Sequence, residues 1–339
     1  EYNQAYGQMP IPSKTGYVFE GWYDGNELVT EQTKATKDTT LVAKWSAKDV
    51  SLTIKYGDGI KQDDVINSKY DKIVTLTKPE REGYTFTGWN LVSGNSTVLS
   101  STSQDSVVIM GSEDTVVEAT WEANEYQITY ETNGGKLQEL VKYTKYDSKY
   151  TLETPTKEGY TFAGWYFENT YQNKLDENTV LKEAHDHTIY AKWEANTYTI
   201  TYDYDGGEES NKNQEVTYNK SIGTLPVTKK EGYTFLGWYY EDKLITDGYI
   251  YTFSKNVTIK AKWSIISYEL EIDPNGGIYE GTTASQKEIY EYNKQIDIKT
   301  PTRHGYIFIG WKITGPSKLV NDKLTMKAGD TKLTAEWKK

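Results

Sequence analysis

The chain has 339 residues, with 30 tyrosines, ten tryptophans, no cysteine and a formal net charge of −11. The lack of cysteine excludes disulfides, thiolate chemistry and Cys-ligated zinc. The negative charge argues against nucleic acids or anionic membranes as partners, because both favour a basic protein surface. No apolar run approaches the roughly 18 residues of a membrane span, so we expect no membrane insertion. The start at Glu1 without a signal peptide is typical of a mature fragment.

A seven-residue motif of the form GYxFxGW recurs five times, and a second tryptophan closes each copy. The motifs are Gly16–Trp22, Gly83–Trp89, Gly159–Trp165, Gly232–Trp238 and Gly305–Trp311, and the closing residues are Trp45, Trp121, Trp193, Trp263 and Trp337. These two series contain all ten tryptophans. Because the period is about 70 residues, the chain is predicted to consist of tandem repeats. The predicted boundaries are 1–46, 47–122, 123–194, 195–264 and 265–339, and the first repeat is expected to be truncated at its N-terminal side.

Within a repeat, apolar alternation and turn signals predict a mainly β or α+β fold. In the third repeat, strands are predicted in chain order at Glu125–Glu131, Leu140–Tyr146, Thr161–Phe167 and His187–Trp193. An Asn-Gly-Gly turn follows the first of these strands, because such residues tolerate positive φ. Gly164 interrupts the third predicted strand and indicates either a β-bulge or the close approach of another backbone.

The recurring aromatic residues have two interpretations: a core copied five times, or a ligand platform copied five times. A repeat of about 70 residues has few other large apolar side chains, so it cannot easily leave these on a ligand surface. We therefore predict a structural core. Its members are Tyr17, Phe19, Trp22, Trp45, Tyr84, Phe86, Trp89, Trp121, Tyr160, Phe162, Trp165, Trp193, Tyr233, Phe235, Trp238, Trp263, Tyr306, Phe308, Trp311 and Trp337.

The GYxFxGW motif, the Gly-rich turn before it and the closing (L/I)xAxW sequence resemble the Listeria–Bacteroides repeat, also called the internalin B B-repeat family. The resemblance covers essentially the whole chain. It implies tandem ubiquitin-like β-grasp repeats on a bacterial surface protein, often beside adhesive or enzymatic domains. The first repeat departs from the family pattern, because it lacks the leading strand and its Gly turn.

The joints between repeats are short. Four residues separate Trp121 from Tyr126, and the next two joints have the same length. Four residues reach at most about 14 Å, so neighbouring repeats are expected to lie close together. Five such repeats in line would form a rod on the order of 130–170 Å. Ile265 and Ile266 make the last joint more apolar, and we expect it to be the most rigid.

Few residues suggest chemistry. His185 and His187 would lie on one side of a strand and could share a metal, but no third histidine or cysteine is nearby, and the solvent-exposed start of a strand is the favoured interpretation. Asp203–Glu209 and Asp273–Gly277 offer oxygen atoms of the kind that calcium binds, although β-turns explain both better. We predict no catalytic residue, no cofactor, no metal site and no enzyme activity.

The tyrosines that exceed the needs of the motif suggest recognition. Tyr239, Tyr240, Tyr249 and Tyr251 could contact a host glycan or an extracellular protein, because exposed tyrosine provides rigid amphipathic contact area. Alternatively, tyrosine is simply the preferred strand former of this composition. The favoured hypothesis is a non-enzymatic stalk or spacer of a cell-surface or cell-wall protein that adjoins other domains and makes some adhesive contacts. The alternatives are a carbohydrate- or host-protein-binding module and the accessory repeats of a secreted enzyme.

Overall fold

The computed structural model describes residues 1–59 and 61–339, and all regular elements among them are β-strands. The prediction of a mainly β fold is confirmed. The helix that an α+β fold needs does not occur among the described residues. The chain forms two compact units, and the division runs through the third repeat. The first unit contains Glu1–Asn133, Leu137–Thr154 and Gly164–Lys192; the second contains Gly134–Lys136, Pro155–Ala163 and Trp193–Lys339.

The first repeat has one three-stranded sheet, in the order β2-β1-β3. Its strands are β1 (Tyr17–Asp24), β2 (Glu27–Val29) and β3 (Val42–Ala47). The motif forms β1 and pairs antiparallel with β3, which carries the closing Trp45. In the part of the chain that the structure describes, the other edge of β3 has no neighbouring strand.

The other four repeats share one plan, in which the first and last strands lie side by side and parallel. The second repeat contains β4 (Asp49–Lys55), β5 (Asp64–Lys69), β6 (Ile73–Leu76), β7 (Tyr84–Ser93), β8 (Thr97–Leu99), β9 (Ser106–Ile109) and β10 (Thr115–Ala123). Its main sheet has the order β5-β4-β10-β7, and β6-β9-β8 form a small second sheet. The motif strand β7 is antiparallel to the closing strand β10.

The main sheets of the third and fourth repeats have the same strand order, from the second strand through the first and the last to the motif strand. The third contains β11 (Glu125–Glu131), β12 (Val141–Lys145), β13 (Tyr160–Tyr166) and β14 (His187–Ala195), in the order β12-β11-β14-β13. The fourth contains β15 (Thr197–Asp203), β16 (Asn213–Thr217), β17 (Tyr233–Tyr240), β18 (Lys243–Ile245) and β19 (Val257–Ile265), in the order β16-β15-β19-β17-β18. The four strands predicted from the third repeat are all present. The first has the predicted ends, and the ends of the others differ by at most two residues.

The fifth repeat again combines a four-stranded sheet with a small one. Its strands are β20 (Ser267–Asp273), β21 (Gln286–Glu291), β22 (Gln295–Asp297), β23 (Ile307–Thr314), β24 (Lys318–Val320), β25 (Lys323–Thr325) and β26 (Thr331–Lys338). The sheets have the orders β21-β20-β26-β23 and β22-β25-β24.

A β-bulge lies at the second glycine of the motif. The register between motif strand and closing strand shifts by one residue between Phe19 and Gly21, and equivalent shifts occur in the second, fourth and fifth repeats. Gly164, where the sequence indicates a bulge, has a φ of 129°, a conformation that favours glycine.

The cores lie on one face of each mixed sheet. Because successive side chains of a strand point to opposite faces, alternate residues of the two central strands are buried together. Leu52 and Val117 are fully buried in the second repeat, and Ile128 and Ile189 are fully buried in the third. The alanine two residues before the closing tryptophan is buried in the last four repeats, as close packing requires (Ala119, Ala191, Ala261 and Ala335).

Candidate functional site

The predicted aromatic core divides into buried and half-buried residues. Phe86, Trp89, Trp165 and Trp238 are buried. The remaining predicted members are half-buried: Tyr17, Phe19, Trp22, Trp45, Tyr84, Trp121, Tyr160, Phe162, Trp193, Tyr233, Phe235, Trp263, Tyr306, Phe308, Trp311 and Trp337. In the first, second, fourth and fifth repeats, the motif phenylalanine contacts both tryptophans of its repeat. The ring centroids of the pairs Phe86–Trp89 and Phe86–Trp121, for example, lie 5.5 and 5.6 Å apart.

Indole hydrogen bonds tie several of the tryptophans to their own repeats, although the buried Nε1–H of Trp89 has no such partner among the described residues. The Nε1–H of Trp165 donates to the carbonyl oxygen of Glu153 at 2.7 Å, and Trp22 and Trp238 make the same bond to a residue twelve positions earlier. The Nε1–H of the closing Trp121 donates to the carbonyl oxygen of Tyr56 at 2.7 Å, at the end of the first strand. These bonds fix the rings and favour a structural role for the tryptophans.

The motif tyrosine packs across the joint onto the next repeat. Its ring meets a tyrosine that follows the second strand of that repeat, in an edge-to-face arrangement. The pairs are Tyr17–Tyr70 (5.4 Å between ring centroids), Tyr84–Tyr146 (5.5 Å), Tyr160–Tyr218 (5.4 Å) and Tyr233–Tyr292 (6.0 Å). Such pairs stabilise by about 0.5–1.5 kcal/mol beyond the area they bury. The motif tyrosines thus link repeats, in addition to any contribution to their own cores.

The glycine before each of these tyrosines forms a socket for the incoming ring. Gly159 has a φ of 76°, and a Cβ atom at this position would lie 2.4 Å from ring atoms of Tyr218. The equivalent distances to the ring are 2.3 Å at Gly16, 2.3 Å at Gly83 and 2.1 Å at Gly232. Only glycine leaves room for the ring and also adopts the left-handed backbone conformation without strain.

One residue of each linker bridges the two repeats through its backbone. At the joint between the third and fourth repeats, the N–H of Asn196 donates to the carbonyl oxygen of Gly159, and its carbonyl oxygen accepts from the N–H of Tyr218, both at 2.9 Å. Lys48, Asn124 and Ile266 make the same two bonds, at the same length, in the other three joints. We call the socket glycine, the motif tyrosine, the bridging residue and the incoming tyrosine together the joint.

A cation covers the free face of each motif tyrosine. The distances from the cationic group to the ring centroid are 4.0 Å for Lys14–Tyr17, 3.8 Å for Arg81–Tyr84, 4.6 Å for Lys157–Tyr160, 4.6 Å for Lys230–Tyr233 and 4.1 Å for Arg303–Tyr306. Contacts of this kind contribute about 0.5–1 kcal/mol at exposed sites.

The joint between the second and third repeats has an additional polar contact. The Tyr84 hydroxyl donates to the Asp147 carboxylate, which also pairs with Lys182. The hydrogen bond from Lys182, followed by that from Tyr84, lowers the pKa of Asp147 below its usual value. The bridging Asn124 also accepts a hydrogen bond from the Thr85 hydroxyl at 2.6 Å. Because all four joints share the backbone bonds and the tyrosine pair, the greater rigidity expected of the last joint stays a prediction.

The tyrosines suggested as ligand contacts differ in their surroundings. Tyr251 is 0% exposed and its hydroxyl donates to the carbonyl oxygen of Lys255, so it is a core residue and not a surface contact. Tyr239, Tyr240 and Tyr249 are half-buried. Lysine ammonium groups lie over all three rings: Lys262 at 4.4 Å from Tyr239, Lys255 at 6.0 Å from Tyr240 and Lys243 at 4.7 Å from Tyr249.

The histidine pair is held by structural hydrogen bonds. Asp186, which lies between the two histidines, accepts a hydrogen bond from the backbone N–H of Gln127 at 2.8 Å. The other complete repeats have an equivalent bond, in which the side chain of Asp114, Asn256 or Asp330 accepts from a backbone N–H of the first strand. His187 contacts the Tyr150 hydroxyl through Nε2 and the carbonyl oxygen of His185 through Nδ1. In the described ranges, no group of three His, Cys, Asp or Glu residues is arranged to hold a metal.

The acidic turns carry similar local bonds. Asp203 and Asp273 each accept from the backbone N–H two residues later, at 3.0 and 2.9 Å, which is the Asx-turn pattern. Asp205 pairs with Lys260 at 2.8 Å.

The incoming tyrosines of the joints are absent from the residues predicted from the sequence. A signal for them exists, because a Tyr-Asp or Tyr-Asn pair recurs after the second strand at Tyr70, Tyr146, Tyr218 and Tyr292.

Comparison with known families identifies two related repeats. The model of the Listeria-Bacteroides repeat domain matches residues 1–44, 126–192, 198–263 and 268–336. The model of the Divergent InlB B-repeat domain matches residues 64–125. Both matches agree with the resemblance drawn from the motif.

Several proteins are similar in sequence. A "Putative membrane protein" of Evansella cellulosilytica is 32% identical over 310 residues, which cover 88% of this chain and 45% of that protein. A "Putative Gly-rich membrane protein" of the same organism is 30% identical over 355 residues, which cover 96% of this chain and 39% of that protein. Internalin H of Listeria monocytogenes is 46% identical over 85 residues, covering 25% and 15%. This chain therefore spans less than half the length of the relatives it matches.

The likeness to one solved structure is weak. The Bacillus anthracis TIE protein aligns with 97% of this chain and 76% of its own at 12% identity, with a TM-score of 0.27, which is too low to support an argument. Among the described residues, no helix has the length and apolar character that crossing a membrane requires.

Proposed function

This chain belongs to the Listeria–Bacteroides repeat family, and we propose that it is a non-enzymatic stalk or spacer that holds other domains of a bacterial surface protein away from the cell. The observation that carries this proposal is the joint, which recurs four times with the same glycine, the same two tyrosines and the same backbone hydrogen bonds. A joint built from backbone bonds and a socketed ring limits bending between neighbours, as a spacer needs. Repetition of one joint then makes length proportional to repeat number.

We also propose that each complete repeat is a β-grasp unit. The parallel contact of first and last strands in a mixed sheet supports this, as does the order β16-β15-β19-β17-β18 in the fourth repeat. Stacked in line, the five repeats would reach on the order of 130–170 Å.

The location and partners in this proposal come from the relatives. Their names refer to membranes and to an internalin, and these names support an extracellular, cell-wall or cell-surface position. Neighbouring domains of the parent protein are the expected partners. The non-enzymatic part of the proposal is supported by the structural bonds that engage His187, Asp186 and the acidic turns.

Small-angle X-ray scattering tests the spacer. The wild-type chain is compared with a triple variant that carries Gly83→Ala, Gly159→Ala and Gly232→Ala, and with Gly305→Ala as the matched control. We expect the maximum dimension of the wild type to lie on the order of 130–170 Å. The triple variant should show the broadened distance distribution of independently moving units, and the control should match the wild type. A triple variant whose scattering equals that of the wild type would exclude the joints as the source of stiffness.

Adhesive contact is the second candidate function. Tyr240 and Tyr249 both pack on Phe253, with centroid distances of 4.7 and 6.1 Å, so part of the tyrosine surplus forms one contiguous cluster. The lysines above these rings favour an anionic or hydroxyl-rich ligand over one that stacks on bare aromatic faces. A glycan and extracellular-matrix array with a Tyr239→Ala/Tyr240→Ala/Tyr249→Ala variant tests this. Binding that the variant retains would place the contact elsewhere.

A further inference from the structure

The fifth repeat carries the receiving half of a joint. Gly305 has a φ of 77°, close to the 76–80° of the four socket glycines, and Arg303 covers the Tyr306 ring as in the other repeats. A Cβ atom at Gly305 would have no neighbour within 4 Å in the part of the chain that the structure describes. Gly305 is exposed, whereas the other four socket glycines are buried. The backbone of this socket is therefore formed before any ring enters it.

The surface beside this socket is apolar. Ile307 and Ile309 on β23 are 67% and 59% exposed. The residue equivalent to Ile307 is Thr85 in the second repeat and Thr161 in the third, and both hydroxyls donate to the side-chain oxygen of the bridging asparagine at 2.6 Å. An isoleucine in this place cannot make that bond. The bond is not a condition of a filled joint, because Val18 goes with the bridging Lys48 and Thr234 with the bridging Ile266.

The incoming half of a joint also has a recognisable chemistry. The residue after the incoming tyrosine is Asp or Asn with a φ of 57–64°: Asp71, Asp147, Asn219 and Asn293. Its backbone N–H is bonded within its own repeat, for example from Asn219 to the carbonyl oxygen of Tyr251 at 2.8 Å. The turn is held by its own repeat, so the tyrosine is presented in a preorganised position.

We propose that Gly305, Tyr306 and Ile307 form a docking socket for the Tyr-Asn or Tyr-Asp turn of a further repeat of this type. The proposal rests on the spacer function and names the partner of the open socket at Gly305. Continuity with the four filled joints is the argument, because the socket glycine, the motif tyrosine and the covering cation all recur. Since a filled joint comprises one tyrosine pair and two backbone hydrogen bonds, docking depends on the high effective concentration that a covalent linker provides.

An extended chain tests the socket. A copy of residues 194–264 is joined directly after Trp337, which places the copy of Asn196 three residues after a closing tryptophan, as in the filled joints. Hydroxyl-radical labelling of Tyr306 and Ile307 is then read by mass spectrometry, since their peptide occurs once. We expect labelling to fall at least about twofold.

Three controls make the result decisive. Gly305→Ala should restore the labelling of the unextended chain, whereas Gly281→Ala, also at a positive φ with open space around it, should not. Tyr218→Ala in the copy should act like Gly305→Ala. Unchanged labelling on extension would overturn the proposal, and so would a concentration-dependent fall in the unextended chain, which would assign the socket to a second copy. If the scattering test supports the spacer and Tyr306 stays labelled, only the docking proposal fails.

Discussion

The substitution Gly159→Ala gives a direct measure of how the joint works. The new Cβ atom would lie 2.4 Å from ring atoms of Tyr218, whereas carbon atoms in contact normally lie about 3.5–4.0 Å apart. The ring must therefore move by more than about 1 Å. Forced overpacking costs about 1–3 kcal/mol, and loss of the Tyr160–Tyr218 pair removes about 0.5–1.5 kcal/mol. We expect the joint to be weakened by about 2 kcal/mol, or about 30-fold in its opening equilibrium.

Native-state hydrogen exchange reports this opening at two amides. The N–H groups of Asn196 and Tyr218 bond across the joint, so both should exchange about 30-fold faster in the variant. The Asn124 and Tyr146 amides of the preceding joint serve as internal references and should keep their rates.

Backbone strain must be separated from the steric clash. Gly305→Ala introduces the same strain at an almost identical φ without a facing ring, so its local effect gives the strain alone. In a Tyr218→Ala background, the clash is absent and Gly159→Ala should cost no more than that strain. Equal acceleration of the joint amides by Gly159→Ala in both backgrounds would refute the socket mechanism.

Three further predictions concern single residues. Hydrogen bonds from Lys182 and Tyr84 lower the pKa of Asp147, so its stabilisation is complete above the unfolded pKa of about 4 and is lost as the pH falls through the lower folded value. The Tm difference between wild type and Asp147→Asn should therefore shrink as the pH falls below about 4, and a difference that grows in acid would contradict this. Asp186→Ala removes the acceptor of the Gln127 N–H and should destabilise the third repeat by about 1 kcal/mol in denaturant titration, whereas an effect that appears only with added zinc would point to a metal site. Leu333→Ala, at a fully buried position, should cost about 2–5 kcal/mol and lower the calorimetric transition of the fifth repeat first; a transition unchanged within error would show that this core is not closely packed.

The sequence by itself determined the recurring unit, the positions of the four strands along the third repeat and the motif glycine at which the other repeats carry a β-bulge. These features follow from local information: a two-residue alternation of apolar side chains, Gly-rich turns, and a motif glycine that interrupts a strand. The mainly β class followed for the same reason. Tyr251 was predicted as a surface contact but lies in a core. The prediction failed because local alternation of apolar residues does not distinguish a buried side chain from a half-buried one.

The tertiary structure alone decided the role of the GY dipeptide. In the sequence Tyr84 is one more aromatic residue of a core motif. Its partner Tyr146 lies 62 positions later, where the recurring signal is only a Tyr-Asp or Tyr-Asn pair. The contact depends on how two folded repeats meet, and the socket becomes visible only when the missing Cβ of Gly83 is seen beneath the Tyr146 ring. Alternation within a strand is a property of neighbouring residues, whereas a joint is a property of two folded surfaces, and no local pattern records which ring will cover which glycine.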